Sequence, residues 1–236
     1  MDGRLRGQDG RFGGLEPAKL KPRLYVFDAY GTLFDVHAAA SAHCELIGPV
    51  WEKLSQTWRQ KHLEYTWIHA MTRRDANFWS LTERSLDYAI AVVGGVPVGV
   101  REKLLAAYRS MKTFPEVVSV LQTLTARGAK LAILSNGDPD MLRDAVVASG
   151  LENMFDAVLS VRDAGIFKPD RAVYQLVLDR FGGVADDVSF QSSNRWDIAG
   201  AQVFGFQTVW VNRTGVPDEY PDMPAGCIVT NLGELV

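Results

Sequence analysis

Two charged residues stand where charge is costly. Asp28 ends the apolar run LYVFD (24–28), and a carboxylate there is partly desolvated unless something pairs with it. Lys168 lies just ahead of Pro169, where a proline can open a helix and a cation meets the positive end of its dipole. Small polar groups close other apolar runs. Thr32 follows Asp28 in DAYGT, Ser135 and Asn136 close KLAILSN (130–136), and Ser192, Ser193 and Asn194 close VSFQSSN (188–194), with Asp197 just beyond. A structural ion pair, with turn caps at Thr32 and Ser135, would explain each oddity separately. Both at converging strand ends favour an Asp–Lys pair inside a cleft, an arrangement suited to a carboxylate nucleophile.

The elements that must position these groups follow from the same runs. LYVFD, KLAILSN, DAVLSV (156–161), VSFQSSN and QTVWVN (207–212) are nearly continuous in apolar character, which predicts strands covered on both faces of a parallel sheet. Between them, Asp138 and Pro139 predict a capped helix start, with Gly150 past its end. Pro169 predicts the opening of a helix that runs to about Arg180, before Gly182 and Gly183. Alternating strand and helix from residue 117 onward indicates a doubly wound α/β sheet, whose ligands bind at the carboxyl ends of the strands.

Residues 36–115 break this alternation with long helical stretches such as WEKLSQTWRQKHLEYTWIHAMTRR (51–74) and no convincing strand. The expected organisation is a Rossmann-like core over 23–35 and 116–236, a helical cap over 36–115, and a mobile tail over 1–22. In the long cap helix, Leu54, Trp58, Tyr65 and Ile68 form one apolar stripe. Arg59, Gln60, Leu63, Trp67 and Met71 form a second face, where Arg59 either snorkels to water or faces the cleft.

Bulk composition agrees with an ordinary globular chain. Of 236 residues, 47% are hydrophobic and 22% charged, and the net charge is −3, so neither a polyanion-binding balance nor disorder is indicated. No apolar run approaches the ~20 residues a membrane helix needs, and the start lacks the apolar stretch of a secretory signal. A cytoplasmic location is expected. Cys44 and Cys227 are far apart in sequence and are expected to be reduced thiols, buried or partly so.

FDAYGTLFDV (27–36), ILSNG (133–137), KPDRAVY (168–174) and SSNRWDIAGA (192–201) resemble the four motifs of the haloacid dehalogenase superfamily. Within it, they and WRQKHLEYTW (58–67) resemble the L-2-haloacid dehalogenases. Most members of the superfamily are Mg²⁺-dependent phosphatases, whose first motif reads DxDGT and whose fourth supplies two acids. Here Tyr30 replaces the acid that protonates a departing alkoxide, and Ser193 replaces one of the two acids. A halide leaves without a proton, and Mg²⁺ requires several hard oxygen ligands, so both replacements favour a metal-independent dehalogenase with no cofactor.

The resemblance implies that Asp28 displaces halide from C2 of a short (S)-2-haloalkanoate, forming an aspartyl ester that water hydrolyses to an (R)-2-hydroxy acid. Thr32, Lys168 and Ser192 would orient Asp28. Ser135 and backbone N–H groups around Ala29, Tyr30 and Asn136 would hold the substrate carboxylate. Arg59 and Asn136 would receive the halide, and Gln60, Leu63, Phe78 and Trp196 would wall the reacting carbon. Asp197, with Asn194, would position the water. Tyr174 would either bond near Lys168 or pack. The implied partners are the 2-haloacid, the halide and a second copy of the chain in a homodimer, with neither nucleic acid nor membrane. His37, His43, His62 and His69 all fall in the cap interval, where surface or core roles suffice. A receiver-like phosphoacceptor domain lacks so large a cap and needs an acidic cluster. A degenerate binding protein would not keep Asp28, Lys168 and Asp197 together. Arg195 has no assigned role at this level.

Overall fold

The structure, a computed structural model, describes residues 24–236; the tail expected over 1–22 lies outside the described residues. Six parallel strands, β1 (Leu24–Phe27), β2 (Lys130–Ser135), β3 (Ala157–Ser160), β4 (Val188–Ser192), β5 (Gln207–Val211) and β6 (Cys227–Val229), form one sheet in the order β3-β2-β1-β4-β5-β6. The five strands expected are present. The sixth was missed because GCIVT is too short to stand out from the loops around it. It lies at the sheet edge and exposes Cys227, contrary to the expected burial of that thiol, while Cys44 is half-buried; both are free.

The chain runs outward from β1 in both directions, so the strand order reverses beside β1, and the crevice for a ligand opens at the carboxyl ends of β1 and β4. Core helices α6 (Val117–Ala126), α7 (Pro139–Ala148), α8 (Arg171–Phe181) and α9 (Arg195–Phe204) connect the later strands. The start of α8 differs from expectation. Pro169 lies outside the helix, and Asp170 caps it through a 2.9 Å bond to the Ala172 N–H. Asp138 also differs: it occupies the N-cap of α7, yet its side chain makes no bond to that helix.

Between β1 and α6 lie the cap helices α1 (Ala38–Ser41), α2 (Cys44–Ile47), α3 (Trp51–Thr72), α4 (Phe78–Val92) and α5 (Val100–Arg109). The buried residues of α3 are Leu54, Ser55, Trp58, His62 and Thr66. Ile68 and Met71 are 47% and 72% exposed, so the apolar stripes expected from periodicity fail at those two positions, while Tyr65 is half-buried against the core and Leu63 and Trp67 are half-buried. Three polar residues occupy the buried face because local bonds satisfy them: His37 for Ser55, Thr82 and Tyr108 for His62, and the Leu63 carbonyl for Thr66.

Side-chain bonds fasten the cap to the core. Asp138 accepts the Trp79 N–H at 2.8 Å, satisfying a free donor in the first turn of α4. Arg109 of α5 pairs with Asp140 and Asp144 of α7 at 3.1 and 2.7 Å and lies 4.4 Å over the Trp79 ring.

Candidate active site

Asp28 follows β1 directly, and its own N–H continues the ladder to the Gln191 carbonyl at 2.9 Å. The chain then turns through Gly31 at φ +94°, a left-handed conformation that favours glycine. This turn brings the Thr32 hydroxyl back to Asp28 Oδ2 at 3.1 Å. The neighbouring strand end supplies two more donors to the same oxygen, Asn194 Nδ2 at 2.7 Å and Ser192 Oγ at 3.4 Å. Asp28 Oδ1 receives Lys168 Nζ at 3.1 Å. One oxygen is thus held by three side-chain donors and the other by a cation.

Lys168 is fully buried and also reaches Asp197 Oδ2 at 2.8 Å, while the Tyr174 hydroxyl donates to Asp197 Oδ1 at 2.8 Å. Tyr174 therefore serves Asp197 rather than Lys168. Burial works against the Lys168 ammonium, but Asp197 and Asp28 outweigh it and raise its pKa. Burial, with repulsion from Asp28, pushes Asp197 up to about 6 despite Lys168 and Tyr174. Two carboxylates around one ammonium leave a net negative charge in a buried site, which is tolerable because hydroxyl and amide donors complete the shell.

The amide orientations follow from their partners. Arg59 Nη2 donates to Asn194 Oδ1 at 2.9 Å and to the Tyr30 carbonyl at 3.0 Å, which turns Asn194 Nδ2 onto Asp28. Asn136 Oδ1 accepts the Lys168 N–H at 3.0 Å, leaving the Asn136 amide hydrogens for the cleft. Ser135 Oγ accepts the Gly137 N–H at 3.1 Å, leaving its own hydrogen to donate. Gly137 has no room for a side chain, because a Cβ would come 2.8 Å from the Tyr30 ring.

The structure thus brings Asp28, Thr32, Arg59, Lys168, Tyr174, Ser192, Asn194 and Asp197 into one bonded network, with Ser135 and Asn136 at the adjoining strand end. Ala29 and Tyr30 are buried in the first turn. Phe78 is buried against the Tyr30 ring at 5.3 Å. Leu63 is half-buried and Gln60 is exposed. Trp196 meets Trp67 edge to face at 5.5 Å, and it also lines an apolar surface groove of about 300 Å³ with Pro169, Val203 and Tyr220.

Sequence reasoning missed several supports. Arg213 donates to the Thr32 carbonyl at 2.9 Å, pairs with Glu116 at 2.7 Å and lies 3.7 Å over the Phe114 ring, bracing the turn after Asp28. Its place just past the end of β5 was the available signal. Arg195 pairs with Asp218 at 2.7 Å and donates to the carbonyls of Tyr220 and Met223, so it ties down the loop beyond β5. Tyr108, stacked on Tyr30 at 5.6 Å and 16°, had no signal beyond an apolar helical spacing.

A metal ion at this site would need a set of oxygen ligands. Ser193 donates instead to the Gly31 carbonyl, Asp28 and Asp197 share Lys168, and no group of three or more metal-ligating side chains occurs among the described residues. The residues present do not fit Mg²⁺.

Comparison with known proteins agrees with this geometry. Residues 22–205 match the profile of the haloacid dehalogenase-like hydrolases. The (S)-2-haloacid dehalogenase 1 of Pseudomonas sp. (strain CBS-3) is 44% identical over 90% of this chain and 94% of its own length. The (S)-2-haloacid dehalogenase 4A of Burkholderia cepacia is 42% identical over 90% and 93%. The structure of L-2-haloacid dehalogenase from Xanthobacter autotrophicus with chloropropionic acid covalently bound superposes with a TM-score of 0.80, at 36% identity over 90% of this chain and 96% of that one.

Proposed function

The chain belongs to the haloacid dehalogenase-like hydrolases, and from that premise we propose that it hydrolyses short (S)-2-haloalkanoic acids to (R)-2-hydroxy acids and halide. The observation that carries this reading is the division of labour on Asp28: Lys168 on Oδ1 and three side-chain donors on Oδ2, with no acid at Tyr30 or Ser193.

In the first step Asp28 Oδ1, which bears only one bond, attacks C2 from behind. The C2–halogen electron pair departs with the halide, and C2 inverts. Ser135, Asn136 and the backbone N–H groups of Ala29 and Tyr30 hold the substrate carboxylate. Arg59 and the Asn136 amide stabilise the halide, and Phe78, Leu63 and Trp196 exclude water. Oδ2 then becomes the ester carbonyl oxygen, and Thr32, Asn194 and Ser192 already point at it as an oxyanion hole. This gives Asn194 a hold on Asp28 itself rather than only on the water. Asp197 takes a proton from water as it attacks the Asp28 carbonyl carbon; the bond from that carbon to the ester oxygen then breaks, the departing alkoxide takes the proton back from Asp197, and the hydroxy acid and the Asp28 carboxylate result. Esterification removes the Asp28 charge that helped to raise Asp197, so the base is better ionised when it is needed.

Residues 36–115 act as the cap and 23–35 with 116–236 as the core. The exposed Ile68 and Met71 on α3 support a homodimer. The two free thiols suit a reducing, cytoplasmic location, and among the described residues no helix is long and apolar enough to cross a membrane. Halide release is to be measured in EDTA on both 2-chloropropionate enantiomers and on a phosphate monoester. Release from the (S)-acid alone, yielding (R)-lactate, is the expected result. Phosphatase activity abolished by EDTA would replace this reading with the metal-dependent one.

A further inference from the structure

The cap places a second polar cluster behind the reacting groups that the steps above leave unused. His62 is buried among the rings of Phe78 and Tyr108, 4.1 and 6.0 Å away. Its Nε2 lies 3.2 Å from Thr82 Oγ1, and its Nδ1 lies 3.4 Å from the Tyr108 hydroxyl. Thr82 spends its one hydrogen on the Phe78 carbonyl at 2.9 Å, so its oxygen must accept from His62 Nε2–H. Nδ1 is then bare, and the Tyr108 O–H donates to it.

The ring stays neutral because burial, together with Arg59, drives its pKa down to about 3. Burial, with Asp28, raises the Tyr108 phenol against the pull of Arg59, so the hydroxyl keeps its hydrogen. The Tyr108 ring is stacked on Tyr30, whose carbonyl receives Arg59, and packs 5.1 Å from the ring of Trp58, the residue before Arg59. A bond as long as 3.4 Å is weak, and the hydrogen can turn to a better acceptor.

Resting on the dehalogenase reading, we propose that Tyr108 is a halogen-specificity residue. Its hydroxyl turns from His62 to the departing halide beside Arg59, and His62 is the positioning residue that holds the hydrogen ready. Charge develops on the halogen only as the carbon–halogen bond breaks, so a donor there favours the transition state over the ground state. Chloride concentrates its charge more than bromide and gains more from the bond.

The test compares chloroacetate with bromoacetate in single turnover. Tyr108→Phe lowers the chloroacetate rate about tenfold, the worth of one hydrogen bond to a charged group, and the bromoacetate rate less. His62→Leu, which removes the partner that fixes this hydrogen at rest, also changes the chloride-to-bromide ratio. His62→Gln restores the ratio, because its amide can accept from Tyr108 and donate to Thr82. In the wild-type protein, ¹⁵N spectra show an Nε2-protonated His62 whose Nδ1 resonance shifts when chloride is added, a readout that needs no variant to fold. Equal losses on both acids, a normal ratio in His62→Leu, or an Nδ1 resonance indifferent to chloride would overturn the proposal. A wild-type enzyme that releases no halide from either acid would instead overturn the dehalogenase reading on which it rests.

Discussion

The core and the cap each hold charged or titratable groups wholly or partly away from water, and they solve the problem differently. At the strand ends, Lys168 answers Asp28 and Asp197 directly, at 3.1 and 2.8 Å. The core site is an ion cluster closed by hydroxyl and amide donors. In the cap, Arg59 has no carboxylate within ion-pairing distance among the described residues, and it bonds only to the oxygens of Tyr30 and Asn194. Its neighbour His62 is kept neutral rather than paired. On the proposed mechanism, the core holds charge that is always present, and the cap receives charge that appears only during the reaction.

Replacing Asp28 by Asn tests the core most severely. Turnover should fall on the order of 10⁴-fold or more, measured as halide release under saturating substrate, with the fold kept. Lys168→Met should cost about 10³-fold in rate and about 3 kcal/mol in unfolding free energy, because Asp28 and Asp197 then face each other unpaired. A denaturant titration that finds Lys168→Met as stable as wild type would contradict the ion-cluster account.

Arg59→Lys should behave as a cap lesion. The guanidinium binds Tyr30 and Asn194 through Nη2 and keeps its other nitrogens for a halide, a planar fork that a single ammonium does not match in reach or direction, so kcat should drop about 10²-fold with little change in Tm. The pH profile separates the two regions further. Asp197 must be ionised to accept a proton, and its pKa is raised to about 6 with Asp28 ionised. The base is therefore present above that value and lost as pH falls. Ester formation removes the Asp28 contribution, so the acid limb of the hydrolysis step should lie below about 6, about tenfold per pH unit along the limb. A limb above it would mean that another group is the base. Smallest of all, Val98→Ser, in the loop between α4 and α5 and fully exposed, should alter stability by less than about 0.5 kcal/mol and leave turnover unchanged.

The same contrast governs what could be read from sequence. Strand ends in a doubly wound sheet converge on one crevice, so polar residues closing apolar runs can be gathered from the sequence alone. Asp28, Thr32, Lys168, Ser192, Asn194 and Asp197 all meet there. The cap obeyed a different rule. Periodicity assigns burial by apolarity, whereas α3 buries Ser55, His62 and Thr66 and exposes Ile68 and Met71. His62 is buried because Thr82 and Tyr108, distant in sequence, complete its bonds, Ser55 because His37 of the segment before α1 does, and Thr66 because it bonds the Leu63 carbonyl one turn back. Asp138 shows the same limit: its residue type marks a helix start correctly, but its side chain is claimed by Trp79 of another helix.

The central claim is that Asp28 forms a covalent ester and that water attacks the enzyme rather than the substrate. One turnover in H₂¹⁸O with enzyme in excess over (S)-2-chloropropionate decides it. The account predicts that the first hydroxy acid carries ordinary oxygen taken from Asp28, and that mass spectrometry of the peptide containing Asp28 finds the heavy isotope there. Heavy oxygen in the first hydroxy acid, with Asp28 unlabelled, would contradict it.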